Sequence, residues 1–360
     1  MAKKLKAIET PYHSIRIGGL PKGCRQCVKG EKLVVFVTGL CPRKCYYCPI
    51  SDKKSRKDVV FANERPVKKL GDLIEEAKLC SSKGAGFTGG DPLSRIDRTL
   101  RFIKGLKKNF GAGFHIHLYT SLNLVNVRVL KRLYDAGLDE IRFHPNIDDD
   151  KIWERITLAA TFNWDVGVEI PVIPDKMRET KQLMKFLSGK IKFLNMNELE
   201  LSDGKASSLS ELGYVPKDFL SYGARGSEKM AKKLLDFVNQ EGLGYRAHYC
   251  TAKLKDRVQL AKRIKRRAKN IKKEFDIIDE DGMLVRGAGY GKPNRQISQK
   301  LQRMGLPQEL FEIDKEKKRV LMPAGFVMEK AEELKKMGLK PAIVTEYPTW
   351  DQLLIELDWL

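Results

Sequence analysis

The chain has 360 residues, enough for one large domain and a small one. Its 68 Lys and Arg residues outnumber the 46 Asp and Glu residues, which gives a formal net charge of +22. No apolar run approaches the roughly 20 residues that a membrane-spanning helix needs, so the sequence predicts a cytoplasmic protein without a membrane span.

The surplus of positive charge and the number of cysteines indicate which partners and which chemistry to expect. Surfaces that carry many charges for thermal stability usually mix both signs, whereas an unmatched positive surplus favours a polyanionic partner such as nucleic acid or an anionic lipid surface. Seven cysteines in a cytoplasmic chain indicate metal or redox chemistry rather than a disulfide framework.

The first 30 residues form a basic arm that contains a pair of cysteines. Cys24 and Cys27 have the C-x2-C spacing, and Gly23 and Gly30 beside them favour the tight turn of a metal-binding knuckle. A pair supplies only half of a four-ligand site. Further ligands must come from elsewhere in the chain.

A second cysteine motif follows an apolar, strand-like stretch at residues 33–37. Cys41, Cys45 and Cys48 have the spacing C-x3-C-x2-C, and the aromatic residue Tyr47 precedes the third cysteine. Three thiolates can hold three irons of a [4Fe–4S] cube and leave one iron open, whereas a structural zinc site normally takes four protein ligands. The motif therefore favours a cluster with an open iron, with zinc or buried structural cysteines as the alternatives.

From residue 33 onward the pattern alternates between strand and helix, which predicts parallel β/α construction. The predicted strands are 33–37, 85–88, 114–119, 140–144, 166–170 and 199–202. The predicted helices are 68–80, 94–109, 125–136, 149–161 and 176–187. A further helix at 227–240 and a strand at 245–249 lead to Cys250. The expected organisation is an arm (1–30), a β/α domain (31–250), a basic helix (251–275) and a small α+β domain (276–360).

Strand alternation predicts which side chains face the interior of the β/α domain. The polar residues that it places inward are His115, His117, Tyr119, Arg142, His144, Glu169, Glu198, Glu200 and Ser202. Active sites of parallel β/α barrels lie at the C-terminal ends of the strands. This favours Tyr119, Thr120, Ser121, His144, Glu169 and Ser202 as functional residues, although a structural hydrogen bond is an equal alternative for each.

Cys250 and the nearby His248 could complete the site of Cys24 and Cys27. Both lie at the end of a predicted strand. Such a site would hold an auxiliary iron–sulfur cluster or zinc, and the sequence slightly favours the cluster. The third and fourth ligands would then come from more than two hundred residues further along the chain.

The segment from Lys253 to Lys273 is a strongly basic amphipathic helix. It contains eleven Lys and Arg residues and one acidic residue, Asp256. An apolar stripe recurs every three or four residues from Leu254 to Phe275. We expect the stripe to pack on the barrel and the basic face to bind RNA, with a solvated surface as the alternative. In the C-terminal domain, the glycine-rich stretch 286–292 is a candidate for a phosphate-binding loop.

The cysteine motif, together with the loop Thr88-Gly89-Gly90-Asp91-Pro92, resembles the radical S-adenosylmethionine (SAM) superfamily. The loop is similar to that superfamily's Gly-Gly-Glu-Pro motif, with Asp91 in place of the usual glutamate. The resemblance covers residues 32–202 and implies a partial (β/α)6 barrel, an α/β fold. The wider pattern is similar to an archaeal group loosely related to glycyl-radical activating enzymes.

The resemblance also implies cofactors and site residues. Cys41, Cys45 and Cys48 would hold a [4Fe–4S] cluster, and an electron donor such as ferredoxin or flavodoxin would reduce it. SAM would be cleaved to a 5′-deoxyadenosyl radical. Its contacts would be Tyr47, Thr88, Gly89, Gly90, Asp91, Thr120, Ser121 and Glu169. The candidate catalytic residues are His144 and Tyr119.

Several functions remain open at this point. The cluster motif and the basic helix together favour radical modification of tRNA or rRNA. The alternatives are activation of a glycyl-radical enzyme or another modification of a protein, and radical chemistry on a lipid or small metabolite. A metal-stapled RNA-binding protein without enzymatic activity is a further alternative.

Overall fold

The computed structural model describes residues 6–291 and 295–360. By the density of their internal contacts, these residues form two compact units. One comprises the described residues of 1–78 and 82–260, and the other those of 79–81 and 261–360. In the described part of the chain, no helix combines the length and the apolar character that crossing a membrane requires.

The first unit is built on one large sheet. Its strands are β1 (Ile8–Thr10), β2 (Ser14–Ile17), β3 (Lys32–Phe36), β4 (Phe61–Ala62), β5 (Arg65–Pro66), β6 (Gly84–Thr88), β7 (His115–Thr120), β8 (Glu140–Phe143), β9 (Asp165–Val172), β10 (Phe193–Glu198) and β13 (Arg246–Cys250). The order across the sheet is β1-β2-β13-β10-β9-β8-β7-β6-β3-β4-β5. The strands from β13 to β3 in this order pair in parallel and form the partial barrel.

Helices follow the parallel strands, as the alternating pattern predicts. They are α2 (Leu70–Leu79), α3 (Ile96–Phe110), α4 (Val127–Asp135), α5 (Met177–Phe186) and α6 (Ser227–Gln240), with 3-10 turns at Pro92–Arg95 and Trp153–Thr161, whereas α1 (Lys22–Val28) precedes the first parallel strand. Their apolar faces cover the outward side chains of the strands, such as Ile116, Leu118 and Ile141, which are completely buried. Burial of such a side chain contributes about 1.5–3 kcal/mol. The polar side chains on the opposite face are thus left to line the interior.

The N-terminal arm is part of this sheet. Strand β2 pairs in the antiparallel sense with β13, so the arm extends the sheet beyond its last parallel strand. Helix α1 then turns inward, and the Gly23 amide donates a hydrogen bond of 3.2 Å to the Glu140 carboxylate in the barrel interior. A side chain at Gly23 would collide with the Arg142 guanidinium, so only glycine lets the helix approach this closely.

The sixth parallel strand lies earlier in the chain than the sequence predicts. We expected it at 199–202, whereas β10 covers Phe193–Glu198. Glu200 and Ser202 lie in the long connection that follows, which contains the hairpin of β11 (Pro216–Asp218) and β12 (Ser221–Ala224). The error arose because alternating Glu and Leu residues at 198–201 imitate a strand, although the fully apolar outer face belongs to Leu194 and Met196.

The basic segment is helical but not uniform. It consists of α7 (Ala252–Leu254), a π-helical turn (Lys255–Leu260) and α8 (Ala261–Ile271). The expected apolar stripe does not pack on a single core. Leu254 packs with Val28 in the first unit, whereas Phe275 joins the core of the second. The expectation that the whole stripe covers the barrel was therefore wrong.

The second unit contains an antiparallel sheet. Its strands are β14 (Ile277–Ile278), β15 (Leu284–Tyr290), β16 (Glu312–Asp314), β17 (Arg319–Met322), β18 (Lys340–Glu346) and β19 (Leu354–Trp359). Helices α9 (Arg295–Arg303), α10 (Ala324–Glu329) and α11 (Ala331–Lys336) accompany them. The expected phosphate-binding loop at 286–292 is instead mostly strand β15, which pairs with β17 and β18; Lys292 lies outside the described residues.

Candidate active site

One large cavity, of about 1530 Å³, lies within the first unit. It is bounded by the cysteine-containing loop after β3, by the C-terminal ends of the parallel strands and by the interior face of α1. This position agrees with the general rule that barrel active sites form where parallel strands end.

The register of the parallel strands arranges the interior side chains in levels. Tyr119 on β7 is level with Arg142 on β8. Nearer the C-terminal ends, Glu169 on β9 is level with Asn195 on β10 and His248 on β13. Side chains at the same level of adjacent parallel strands point to the same face. The barrel therefore holds stacked layers of polar groups instead of an apolar centre.

Arg142 is the centre of the interior network. Its Nη1 donates to the Tyr119 hydroxyl and to Glu169 Oε2, both at 2.9 Å, and its Nε donates to Glu140 Oε1 at 2.6 Å. The guanidinium side chain is only 2% exposed. A buried cation flanked by two carboxylates remains charged because each of its donors has an acceptor.

Glu169 is held as a carboxylate by its surroundings. Burial works to raise the pKa of this group, but the Arg142 guanidinium and the side-chain amides of Asn195 and Asn197 lower it below its ordinary value. Both amides donate to Glu169 at 2.9 Å. The cavity therefore presents a fixed negative charge whose pair partner lies deeper in the barrel.

A hydrogen-bonded chain joins the cysteine loop to β9. The Tyr47 hydroxyl lies 3.1 Å from His144 Nε2, and His144 Nδ1 lies 2.7 Å from the Glu169 carbonyl oxygen. Because a carbonyl can only accept, Nδ1 carries the proton and Nε2 accepts from Tyr47. Burial lowers the pKa of His144 to about 4, so the ring is neutral at pH 7. Both of its nitrogens are occupied, which makes His144 a positioning residue in this structure.

The glycine loop lies directly against the start of the cysteine loop. The amides of Gly90 and Asp91 donate to the carbonyl oxygens of Thr38 and Leu40 at 2.7 and 2.8 Å. Gly90 has no room for a side chain, because a Cβ atom would collide with the Leu40 carbonyl oxygen. The two loops therefore hold each other in place across β3 and β6, and glycine is needed at their contact.

Asp91 acts on the structure of the site instead of facing the cavity. Its carboxylate accepts hydrogen bonds from the Leu93 amide (2.9 Å), the Thr120 hydroxyl (2.9 Å), and the Ser121 amide (3.0 Å) and hydroxyl (2.6 Å). It is completely buried, and burial raises its pKa. Asp91 thus ties the glycine loop to the end of β7 and positions Thr120 and Ser121, which do line the cavity.

The three cysteines of the C-x3-C-x2-C motif line the mouth of this cavity as free thiols. Cys41 is exposed, and Cys45 and Cys48 are half-buried. Within residues 6–291 and 295–360, no three His, Cys, Asp or Glu side chains are arranged to grip a metal ion as they stand. The donor set nevertheless fits an iron–sulfur cluster, because three accessible thiols on one loop face a space large enough for the cluster and a further ligand.

The second group of cysteines lines the same cavity. Cys24, Cys27 and Cys250 face it together with His248. The Cys24 sulfur accepts hydrogen bonds from Asn195 Nδ2 (3.3 Å) and Arg142 Nη2 (3.5 Å). Burial raises the pKa of the Cys24 thiol to about 12.

Most of the residues predicted from the sequence meet at this cavity, with three exceptions. Tyr47, Thr88, Gly89, Gly90, Tyr119, Thr120, Ser121, His144 and Glu169 all line it. Asp91 does not, and Ser202 forms a turn with the Gly204 amide instead. His115 lies deeper in the barrel, hydrogen-bonded to Lys32 at 2.9 Å.

Sequence reasoning missed Asn195 and Asn197, the two amides that bind Glu169. They alternate along β10 and would have been identified if the strand had been placed at 193–198. The sequence analysis instead predicted that the side chains of Glu198 and Glu200 face the barrel interior. Both reach the cavity wall but are paired, with Lys217 at 2.6 Å and with Lys255 at 2.7 Å.

Comparison with known proteins agrees with this geometry. The sequence profile of the Radical SAM superfamily matches residues 35–187. A protein of Methanocaldococcus jannaschii, named "Putative glycyl-radical enzyme activating enzyme MJ0021", is 42% identical over 357 residues, which cover 94% of this chain and 92% of that protein. Residues 282–358 match a domain of unknown function, DUF8061.

Two further similarities are more distant. A biotin synthase of Thioalkalivibrio sulfidiphilus is 28% identical over 127 residues, which cover 34% of each chain. Among solved structures, the crystal structure of methylornithine synthase (PylB) covers 61% of this chain and 71% of that one, with 14% identity and a TM-score of 0.39.

Two observations lead to the same family assignment. One is the extent of the identity to the Methanocaldococcus protein, and the other is the cavity with its cysteine loop. The donor set fits an iron–sulfur cluster, and the superfamily profile covers both the cysteine motif and the glycine loop. The chain therefore belongs to the radical SAM superfamily, whose enzymes use a [4Fe–4S] cluster and S-adenosylmethionine.

Proposed function

We propose that this chain is an activating enzyme that installs a glycyl radical on a partner protein. The observation that carries the proposal is the 42% identity to the Methanocaldococcus relative across nearly the whole length of both chains. The comparisons give no support to RNA modification, which the basic helix had favoured.

The reaction balances with one external electron. A donor of the ferredoxin or flavodoxin class supplies the electron, SAM is cleaved to methionine and 5′-deoxyadenosine, and the partner's glycine loses one hydrogen atom from its Cα. The cluster and SAM, when bound, supply the radical chemistry. Cys41, Cys45 and Cys48 would hold the cluster. The residues that would contact SAM are Tyr47, Thr88, Gly89, Gly90, Thr120, Ser121 and Glu169.

The remaining residues of the site orient these groups and exclude water. The Tyr47–His144 hydrogen bond fixes the cysteine loop against β9. Arg142 and the side-chain amides of Asn195 and Asn197 hold the Glu169 carboxylate in place, so its negative charge is stabilised without water. A site organised before the substrate binds does not have to reorganise during the reaction.

The basic helix supports RNA binding less than its sequence suggests, because several of its cations are engaged within the protein. Lys255 forms an ion pair with Glu200. Arg266 donates to the Ser81 carbonyl at 2.7 Å, Arg267 is 95% buried and bonded to the Pro348 carbonyl, and Lys273 pairs with Glu312 at 3.0 Å. These cations stabilise the folded protein, so fewer positive charges of the basic segment remain available to bind a polyanion.

An exposed apolar hairpin in the connection after β10 supports a protein substrate. Phe219 and Leu220, at the tip between β11 and β12, are fully and 82% exposed. The connection that carries this hairpin is joined to the cysteine loop by the Ser208 amide, which donates to the Tyr46 carbonyl at 2.7 Å. Exposed apolar residues of this kind mark interaction sites. We assign the hairpin to docking of the partner protein.

The test is anaerobic activation followed by electron paramagnetic resonance (EPR). Purified protein, SAM and a reductant are added to an extract of a strain that lacks the gene, grown with or without glycine deuterated at Cα. We expect a glycine-centred doublet that collapses to a singlet with the deuterated amino acid. Nucleoside mass spectrometry of total tRNA and rRNA from the same strain should match the parent strain.

Two variants control this experiment. Cys45→Ala should give no radical, because it removes a cluster ligand. The double variant Phe219→Ala/Leu220→Ala should still cleave SAM without a partner. It should need about tenfold more partner for half-maximal activation, since a lost apolar anchor costs about 1–2 kcal/mol. A nucleoside missing from the deletion strain, with no glycine signal, would refute the proposal.

A further inference from the structure

A second group of cysteine and histidine side chains, which the radical SAM site does not use, lines the cavity; like the first group, it is not arranged to grip a metal ion as it stands in the described residues. Cys24 and Cys27 come from α1, and Cys250 and His248 come from β13. All four line the cavity that the Cys41–Cys48 loop also borders. The three cysteines are free thiols, and nothing in the proposed activation reaction requires any of the four residues.

The secondary structure explains why these side chains converge. Cys24 and Cys27 are three residues apart on α1 and therefore share one face of the helix. His248 and Cys250 are two residues apart on β13 and share the inward face of that strand. Val28 of α1 and Cys250 belong to one apolar cluster, so the helix packs against the end of the strand.

The imidazole of His248 lacks the partners that a buried ring normally has. The residue is only 3% exposed, yet neither Nδ1 nor Nε2 has a hydrogen-bond partner. Buried polar atoms in folded proteins are almost always satisfied by protein, water or a ligand. On the inward face of β13, this ring is oriented toward the space that the three sulfurs border.

Hydrogen-bond donors and cations lie beside the sulfurs, although burial raises the pKa of the Cys24 thiol. Arg142 and Asn195 donate to the Cys24 sulfur. Gln259 Nε2 donates to the Cys250 sulfur at 3.9 Å. Lys255, beyond Cys250, adds a second cation to the same side of the cavity. Donors and cations around sulfur stabilise the negative charge of a thiolate-bound cluster.

We propose that Cys24, Cys27, Cys250 and His248 bind a second iron–sulfur cluster inside the barrel. Soft thiolate ligands select iron–sulfur clusters or zinc. We favour the cluster because the protein must already be supplied with one at the Cys41 motif, and because imidazoles replace thiolates as ligands in some iron–sulfur clusters. The inference does not depend on the nature of the substrate.

The experiment measures metal in full-length protein after anaerobic reconstitution with iron and sulfide. The variant Cys41→Ala/Cys45→Ala/Cys48→Ala should retain roughly half of the iron and sulfide of the wild type, with sulfur-to-iron charge-transfer absorption and a cluster signal in Mössbauer spectra. The variant Cys24→Ala/Cys27→Ala/Cys250→Ala should also retain roughly half. Cys80→Ala, which removes a buried cysteine outside both groups, should leave the metal content unchanged.

Two readouts guard against misfolding and misassignment. If the Cys24/Cys27/Cys250 variant is folded, it should still bind SAM at the remaining cluster. In the Cys41/Cys45/Cys48 variant, pulsed EPR of the reduced cluster should show nitrogen coupling that His248→Ala abolishes. A Cys41/Cys45/Cys48 variant that holds no iron, or that holds zinc in its place, would overturn the proposal, and coupling that survives His248→Ala would remove His248 from the ligand set.

Discussion

The two cysteine groups of the cavity reach it in different ways. Cys41, Cys45 and Cys48 lie within eight residues on one loop, where Cys41 is exposed and Cys45 and Cys48 are half-buried. Cys24 and Cys250 are buried and come from opposite ends of the barrel sequence, and their neighbours Arg142 and Asn195 come from two further strands. A local loop can present reactive groups to a ligand, whereas a buried set has to be assembled and neutralised by the fold.

The largest expected effect is the loss of SAM cleavage in a variant of the cysteine loop that leaves the stability of the protein unchanged. Cys45→Ala removes one of the three thiols that we propose as cluster ligands, so SAM cleavage should fall by about a thousandfold or more, below detection. The free energy of unfolding of the metal-free protein should change by less than about 0.5 kcal/mol, because Cys45 is not part of the buried core. The measurement is 5′-deoxyadenosine release by reduced protein. Persistent release would show that the motif does not hold the cluster.

A substitution in the buried polar network of the barrel interior should instead lower the free energy of unfolding. Arg142→Met leaves Glu140 and Glu169 buried without their cation. Breaking a buried pair in this way costs about 3–5 kcal/mol. Urea unfolding of the metal-free protein would measure the loss. Arg132→Met is the matched control, since its pair with Asp97 is exposed and its removal should cost less than about 1 kcal/mol. Equal effects for the two variants would contradict the buried network.

The pH dependence of stability should also arise mainly from the interior. Burial, and then the charge of Lys32, lower the pKa of His115 to about 2. The ring faces Lys32 and Glu140, and Lys22, Lys107 and Arg142 act on it as well. Below its ordinary pKa of 6.5 the unfolded chain takes up a proton that the folded chain does not, so stability falls as the pH falls.

The variant His115→Gln isolates this contribution. Between pH 6.5 and 4.5 the wild type should lose about 2–3 kcal/mol more than the variant, because each pKa unit corresponds to about 1.4 kcal/mol. Urea unfolding at a series of pH values would show the difference. Parallel curves for the two proteins would mean that His115 is protonated in the folded state.

The smallest expected effect concerns the contact that joins two loops. Gly90→Ala places a methyl group against the Leu40 carbonyl and should push the glycine loop away from the cysteine loop. We expect SAM to bind about tenfold more weakly, a change of about 1.4 kcal/mol. Equilibrium dialysis with the reconstituted protein measures this. Gly113→Ala, at a glycine with open space around its Cβ position, should leave binding unchanged.

The sequence by itself determined the features that are local. The cysteine spacing, the glycine loop and the strand–helix alternation each lie within a short stretch, and hydrophobic periodicity is a direct consequence of which face is buried. The same reasoning placed Thr120, Ser121 and Glu169 at strand ends, where the cavity lies. It failed at β10, because a polar alternation at 198–201 resembled a strand as closely as the real one did.

Only the tertiary structure decided which distant groups meet and which charges remain free. The sequence predicted that Asp91 contacts SAM, but in the folded protein its carboxylate accepts hydrogen bonds from Thr120 and Ser121. The cations of the basic segment look alike in sequence, yet Lys255 and Arg267 are used inside the protein. Partner choice among charged groups depends on strand register and burial across long separations, and a periodic pattern carries no information about either.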